Sequence, residues 1–113
     1  MKHNNNFKYD LRVGQVKERE LANILEHKHI EVKRCTNAKY NVFVEYKSRG
    51  KSSGLSTTKA DYYCFALKNS MVLLTTQRLK QICRPYYGTP KDVLGGDNNT
   101  SKGILVPINE LVA

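Results

Sequence analysis

No stretch of this sequence approaches the continuous apolar length that crosses a bilayer as a helix, and no membrane partner is expected. The opening residues, MKHNNNFKYD, hold no apolar segment of the kind a secretory signal needs, and a cytoplasmic protein is the expectation. Cysteine is scarce too. Cys35, Cys64 and Cys83 are odd in number and lack CxxC spacing, which argues for thiols of a reducing compartment and against a disulfide framework. Together with His3, His27 and His29 they match the spacing of no common zinc module. Internal repeats are absent. The scarcity with most consequence is that of acids: 10 Asp and Glu stand against 19 Lys and Arg, a formal charge of +9. That excess points first to a polyanion partner, nucleic acid above all.

What is present suffices for one domain. The 113 residues, 40% of them hydrophobic, predict a single unit over residues 10–113 with a modest core. A polar, Asn-rich arm, residues 1–9, precedes it, and a mobile loop around 88–102 interrupts it. From Val13 to Leu25 the apolar positions fall on one helical face, with Asp10 as the expected cap. HIEVKR (29–34) and YNVFVEYK (40–47) alternate as strands, and TNAK between them is short enough for a hairpin. SRGKSSGLSTTK (48–59) reads as a loop. DYYCFAL (61–67) and MVLLT (71–75) read as two further strands. TQRLKQICR (76–84) reads as a helix capped by Thr75 or Thr76 and stopped by Pro85. GILVPINELV predicts a closing strand and then a helical turn from Pro107. This order of elements makes a small α+β or α/β fold.

Two consecutive strands carry Glu-x-Lys: Glu31 and Lys33 in IEVK, Glu45 and Lys47 in VEYK. Alternation sets Ile30 and Val32 inward with Glu31 and Lys33 opposite, and groups Glu45 and Lys47 with Phe43, away from Val42, Val44 and Tyr46. Paired as a hairpin, the two strands would project all four charged side chains from one face. Metal-dependent phosphodiester cleavage needs such carboxylates for Mg²⁺ and a cation to position the attacking water. The plainer alternative is cross-strand charge pairing, worth roughly a few tenths of a kcal/mol. On the preceding helix, Glu20 falls within the apolar stripe and Glu18 just beyond its edge, and either could lean toward a metal. The loop KSRGKSSG adds Arg49, Lys51, Ser52 and Ser53 as phosphate contacts, and Lys59 and QRLKQICR extend the basic surface. Tyr40, Tyr62 and Tyr63 could stack on unpaired bases or fill a core, and Asp61 could add a further site acid, though it is expected to begin a strand and bind loop amides.

GQVKERELANIL resembles the opening Gly-x-x-x-Glu-Arg-Glu-Leu of archaeal-type Holliday junction resolvases, members of the PD-(D/E)XK, or restriction-endonuclease-like, superfamily. IEVK and VFVEYKSRG are similar to the superfamily's Glu-x-Lys strand, and the run to GILVPINEL is similar to small phage-encoded members. The resemblance implies a restriction-endonuclease-like core, a central mixed sheet flanked by helices. It implies a Mg²⁺- or Mn²⁺-dependent endonuclease acting on DNA, with branched or junction DNA as the suggested substrate. It maps the helix acid onto Glu18, making Glu18, Glu31 and Glu45 the metal set, with Lys47 as catalytic lysine and Lys33 as second candidate. A homodimer is a partner it allows, and the host cytoplasm is the setting if the chain is phage-encoded. One departure stands out: the strand before VEYK lacks the superfamily's Asp, and Cys35 occupies the strand-end position. Two other readings follow, a catalytically inactive nucleic-acid-binding module of the same fold and a small phage-type regulator of a host protein.

Overall fold

The computed structural model describes Asp10–Val13 and residues 29–113. Among the described residues, eight strands and two short α-helices make an α+β fold of two four-stranded sheets. The strands are β1 (Asp10–Val13), β2 (Ile30–Arg34), β3 (Asn41–Ser48), β4 (Lys51–Ser52), β5 (Tyr62–Ala66), β6 (Ser70–Thr75), β7 (Asp92–Gly95) and β8 (Ser101–Pro107). Helix α1 is Thr76–Cys83 and α2 is Ile108–Leu111. The first sheet is mixed, in the order β1-β6-β5-β2, and the second is antiparallel throughout, β4-β3-β8-β7.

The mixed sheet is built around the hairpin of β5 and β6, whose apolar runs bury Tyr63, Cys64, Phe65, Val72, Leu73 and Leu74. β1 and β2 then add in parallel at its two edges. Asp10 is therefore a strand residue and not a helix cap, because the Asp10–Val13 backbone pairs with Ser70–Leu73 along the outer side of β6. The rest of the helix expected over 13–25, residues 14–25, lies outside the described residues, as does the arm 1–9.

Helix α1 begins where the sequence places it. The Thr75 hydroxyl accepts from the Arg78 amide at 2.9 Å, and Pro85 follows within a 3-10 turn, Arg84–Tyr86. Leu79, Ile82 and Cys83 drop from α1 into a core shared with Val42 and Val44 of β3, Ile104 and Val106 of β8, and Leu111 of α2. Pro107 ends β8 and precedes α2, as expected.

Two expectations are corrected. TNAK does not close a hairpin: β2 pairs with β5, β3 pairs with β8, and the connection carries the chain from one sheet to the other. The tract 88–102, read as a loop, contains β7, which is held to β8 from Asp92↔Ile104 to Gly95↔Ser101.

Candidate functional site

Strand β3 is irregular where its charged residues lie. Glu45 pairs with Gly103 and Lys47 with Lys102, so Tyr46 is one residue too many for the ladder, a β-bulge. Beyond the bulge the chain turns back through Arg49 and Gly50 into β4, with Ser48 opposite Lys51 and Lys47 opposite Ser52. Both central residues have positive φ, 50° and 80°, the signature of a type I′ hairpin turn. Ser53 then donates its backbone amide to the Tyr46 carbonyl at 3.1 Å and its hydroxyl to Glu45 Oε2 at 2.8 Å. Gly54 comes so close that a Cβ there would collide with the Glu45 backbone carbonyl. The glycine-bounded loop is therefore folded back onto Glu45 and orients its carboxylate.

Strand β2 supplies the facing wall, with its faces reversed from expectation. Val32, expected inward, is 63% exposed. Glu31 lies opposite Tyr63 and Lys33 opposite Phe65 in parallel register, on the face that meets the second sheet. The physical reason lies in β5, whose largest rings, Tyr63 and Phe65, point into the core and impose their face on β2. Glu31 and Lys33 pair at 3.5 Å, half-exposed, a contact worth less than about 1 kcal/mol. Burial pushes the Tyr63 phenol above its ordinary range; Thr58 works against the rise and the Glu31 carboxylate adds to it. Burial likewise raises the Cys35 thiol, with Lys33 pulling the other way. The Cys35 amide donates to Ala66 at 2.8 Å and so extends the ladder, which keeps Cys35 in step with Glu31 and Lys33.

Between these walls is a cavity of about 200 Å³ lined by Lys33, Glu45, Gly54, Phe43, Tyr63 and Phe65. Lys33 and Glu45 thus meet across two sheets without the hairpin the sequence suggested, and they form no ion pair there. Lys47 does not line this cavity. It is exposed beyond the bulge, as are Arg49, Lys51 and Ser52 on the hairpin, while Lys59 is exposed on the segment leading to β5. Glu18 and Glu20 lie outside the described residues. Among the described residues no group of three His, Cys, Asp or Glu side chains comes together as a metal cage. Asp61 binds a loop amide as expected, its Oδ2 accepting from His29 N at 3.1 Å.

Other contacts have no clear sequence signal. Ser53 reaches Glu45 only because of the two-residue turn, and the turn carries Arg where Asn is the usual marker. The displaced Tyr46 sends its hydroxyl to Asp92 Oδ1 at 2.6 Å, and its ring meets Tyr87 edge-on at 4.9 Å between centroids. Lys80 and Arg84, one turn apart at the end of α1, both line a cavity of about 440 Å³ with Asp61 and Gln77; the spacing in QRLKQICR does foreshadow this basic face. Comparison of the chain with protein-family models, with curated proteins and with solved structures gives no match. No described helix is long and apolar enough to cross a membrane.

Proposed function

We propose that the chain is a metal-dependent endonuclease acting on DNA, with its chemistry in the cavity between the two sheets. The observation that carries this reading is the meeting of Glu45 and Lys33 in one cavity, with Glu31 beside that lysine, in a chain of charge +9. Carboxylate oxygens are the donors Mg²⁺ prefers, and it is commonly held by one or two of them together with water and substrate phosphate. Glu31 and Glu45 fit that requirement in kind, with Glu18 as the third acid implied by the resolvase resemblance. Bound there, the metal would polarise the scissile phosphate and offset its developing charge.

The chain's own residues have separate tasks. Ser53 holds the Glu45 carboxylate in one orientation through its 2.8 Å hydrogen bond. Lys33 supplies positive charge inside the cavity. Lys47, Arg49 and Lys51 grip the phosphate backbone outside it.

The test incubates purified protein with duplex, single-stranded and four-way-junction DNA, with Mg²⁺, Mn²⁺ or EDTA. Metal-dependent cleavage is expected to fall to background in Glu45→Gln and about a hundredfold in Lys33→Met. Ser53→Ala should lose roughly tenfold, as is typical when a ligand loses its supporting hydrogen bond. Cleavage surviving Glu45→Gln would end the assignment.

A second reading, a binding module without catalysis, is favoured by Cys35 at the strand end, where the superfamily's acid would suit. It predicts salt-sensitive DNA binding and no cleavage. Cys35→Asp separates the two. It adds a carboxylate in step with Glu31 and Lys33, and a gain of metal-dependent cleavage on that change would identify a nuclease scaffold.

A further inference from the structure

The start of β3, the end of β8, α2 and the segment before β7 line a third cavity, open to solvent and of about 520 Å³, on which the nuclease reading makes no demand. That volume lies in the range of small-ligand sites. Tyr40 stands at its edge 79% exposed, the most exposed of the large hydrophobic side chains among the described residues. Two cations, Lys39 and Lys91, line it, and none of its lining residues is acidic. Two carboxamides, Asn41 and Asn109, complete the polar part. Ile108, partly buried against the core, and Pro107 give an apolar floor.

The parts are held rather than loose. The Ile108 amide donates to the Tyr40 carbonyl and the Leu105 amide to the Lys91 carbonyl, both at 2.8 Å, which ties both segments to β8 and its end. Lys91 Nζ donates to Asn41 Oδ1 at 3.3 Å, which leaves the Asn41 amide hydrogens available to an acceptor.

An exposed ring, two lysines and amide groups over an apolar floor suit a planar, hydrogen-bonding, anionic ligand. We infer that this cavity binds an unpaired nucleotide of a single strand. The base stacks on Tyr40, the flanking phosphates meet Lys39 and Lys91, and Asn41 and Asn109 bond the base edge. A base inside a duplex presents no free face to Tyr40, so the site discriminates for unpaired strands. The inference rests on the nucleic-acid partner of the proposed function but not on cleavage.

The experiment measures fluorescence anisotropy of a labelled oligothymidylate and of a duplex of equal length, in EDTA so that cleavage plays no part. Tyr40→Ala should weaken single-strand binding about tenfold. Its duplex binding should stay within about twofold, and Tyr40→Phe should bind single strands like the parent. Replacing Lys39 and Lys91 together by Ala should flatten the salt dependence for the single strand by about 1.4 in log–log slope. Equal binding by Tyr40→Ala and the parent would overturn the site, as would equal losses on both DNA forms. Displacement of the oligonucleotide from Tyr40 by a poly-glutamate peptide at equal concentration would overturn it in favour of a protein partner. Persistence of the Tyr40 effect without cleavage in Mg²⁺ would separate this site from the nuclease reading.

Discussion

Arg49 occupies a backbone conformation, φ 50°, that residues with a Cβ adopt at a cost of roughly 1–2 kcal/mol, and that Asn adopts more readily. A cation at the tip of the hairpin is thus kept against local backbone preference, which fits a phosphate contact. Arg49→Asn should raise stability by about 0.5–1 kcal/mol in urea denaturation while weakening DNA binding, so that the two properties move in opposite directions. The Tyr46–Asp92 pair carries a pH signature. Burial alone would raise the Asp92 carboxyl, but the Tyr46 hydroxyl, the Gly88 amide and Lys102 outweigh it and hold the group below its ordinary range. Burial, then the bond to Asp92, pushes the Tyr46 phenol up to about 12. The lowered acid contributes stability above its unfolded pKa, lost as pH falls through the folded one. The raised phenol contributes stability below its unfolded pKa, lost as pH climbs toward about 12. Tyr46→Phe should cost about 1 kcal/mol near neutrality. It should also shrink the acid-side fall in Tm, because the Asp92 carboxyl loses one of the hydrogen bonds that lower it, and remove the alkaline-side component.

Strand β8 shows how an element can depend on what it lacks. A Cβ on Gly103 would sit 2.6 Å from the Phe43 ring and 2.7 Å from the Val44 carbonyl oxygen, whereas the nearest atoms to one on Gly95 of β7 would all belong to the Phe43 ring, from 2.8 Å. A ring can swing aside and a ladder carbonyl cannot. Gly103→Ala should therefore cost about 1–3 kcal/mol by overpacking, and Gly95→Ala distinctly less, measured as urea midpoints. The elements readable in advance were those with local punctuation. Thr75 and Pro85 frame α1, Pro107 divides β8 from α2, and the apolar runs of β5 and β6 flank a short turn. β7 was not readable because DVLG is short and surrounded by turn formers; its strand character comes from β8 beside it. The pairing of β2 was hidden for a related reason. Alternation separates Glu31 and Lys33 from Val32, but the partner strand decides which set faces inward, and here Tyr63 and Phe65 decide it. Glu45 was readable as a candidate, whereas the bulge that separates it from Lys47 and the fold-back of Ser53 arise only from cross-strand register.

At the scale of the whole molecule, the proposed nucleic-acid partner turns the net charge into a salt-dependence test. With +9 on 113 residues, DNA affinity should drop steeply with salt, about tenfold or more between 50 and 200 mM, in both the catalytic and the binding reading. Loss of the Arg49, Lys51 and Lys59 cations together should flatten that dependence in a salt titration. The architecture also sets β3 far along the chain from its partner β8. β8 lies between β3 and β7, with Ser48 paired to Ser101 and Asn41 to Pro107. During synthesis the β5–β6 hairpin can close as soon as it emerges, because its strands are neighbours. β3 has no such opportunity and waits, its apolar face uncovered, until β8 has been made. Such late pairing slows folding and exposes an aggregation-prone intermediate. A nascent chain stalled before Ser101 should be open to protease across β3 yet protected across β5 and β6, so synthesis of β8 is also the step that lets the second sheet form.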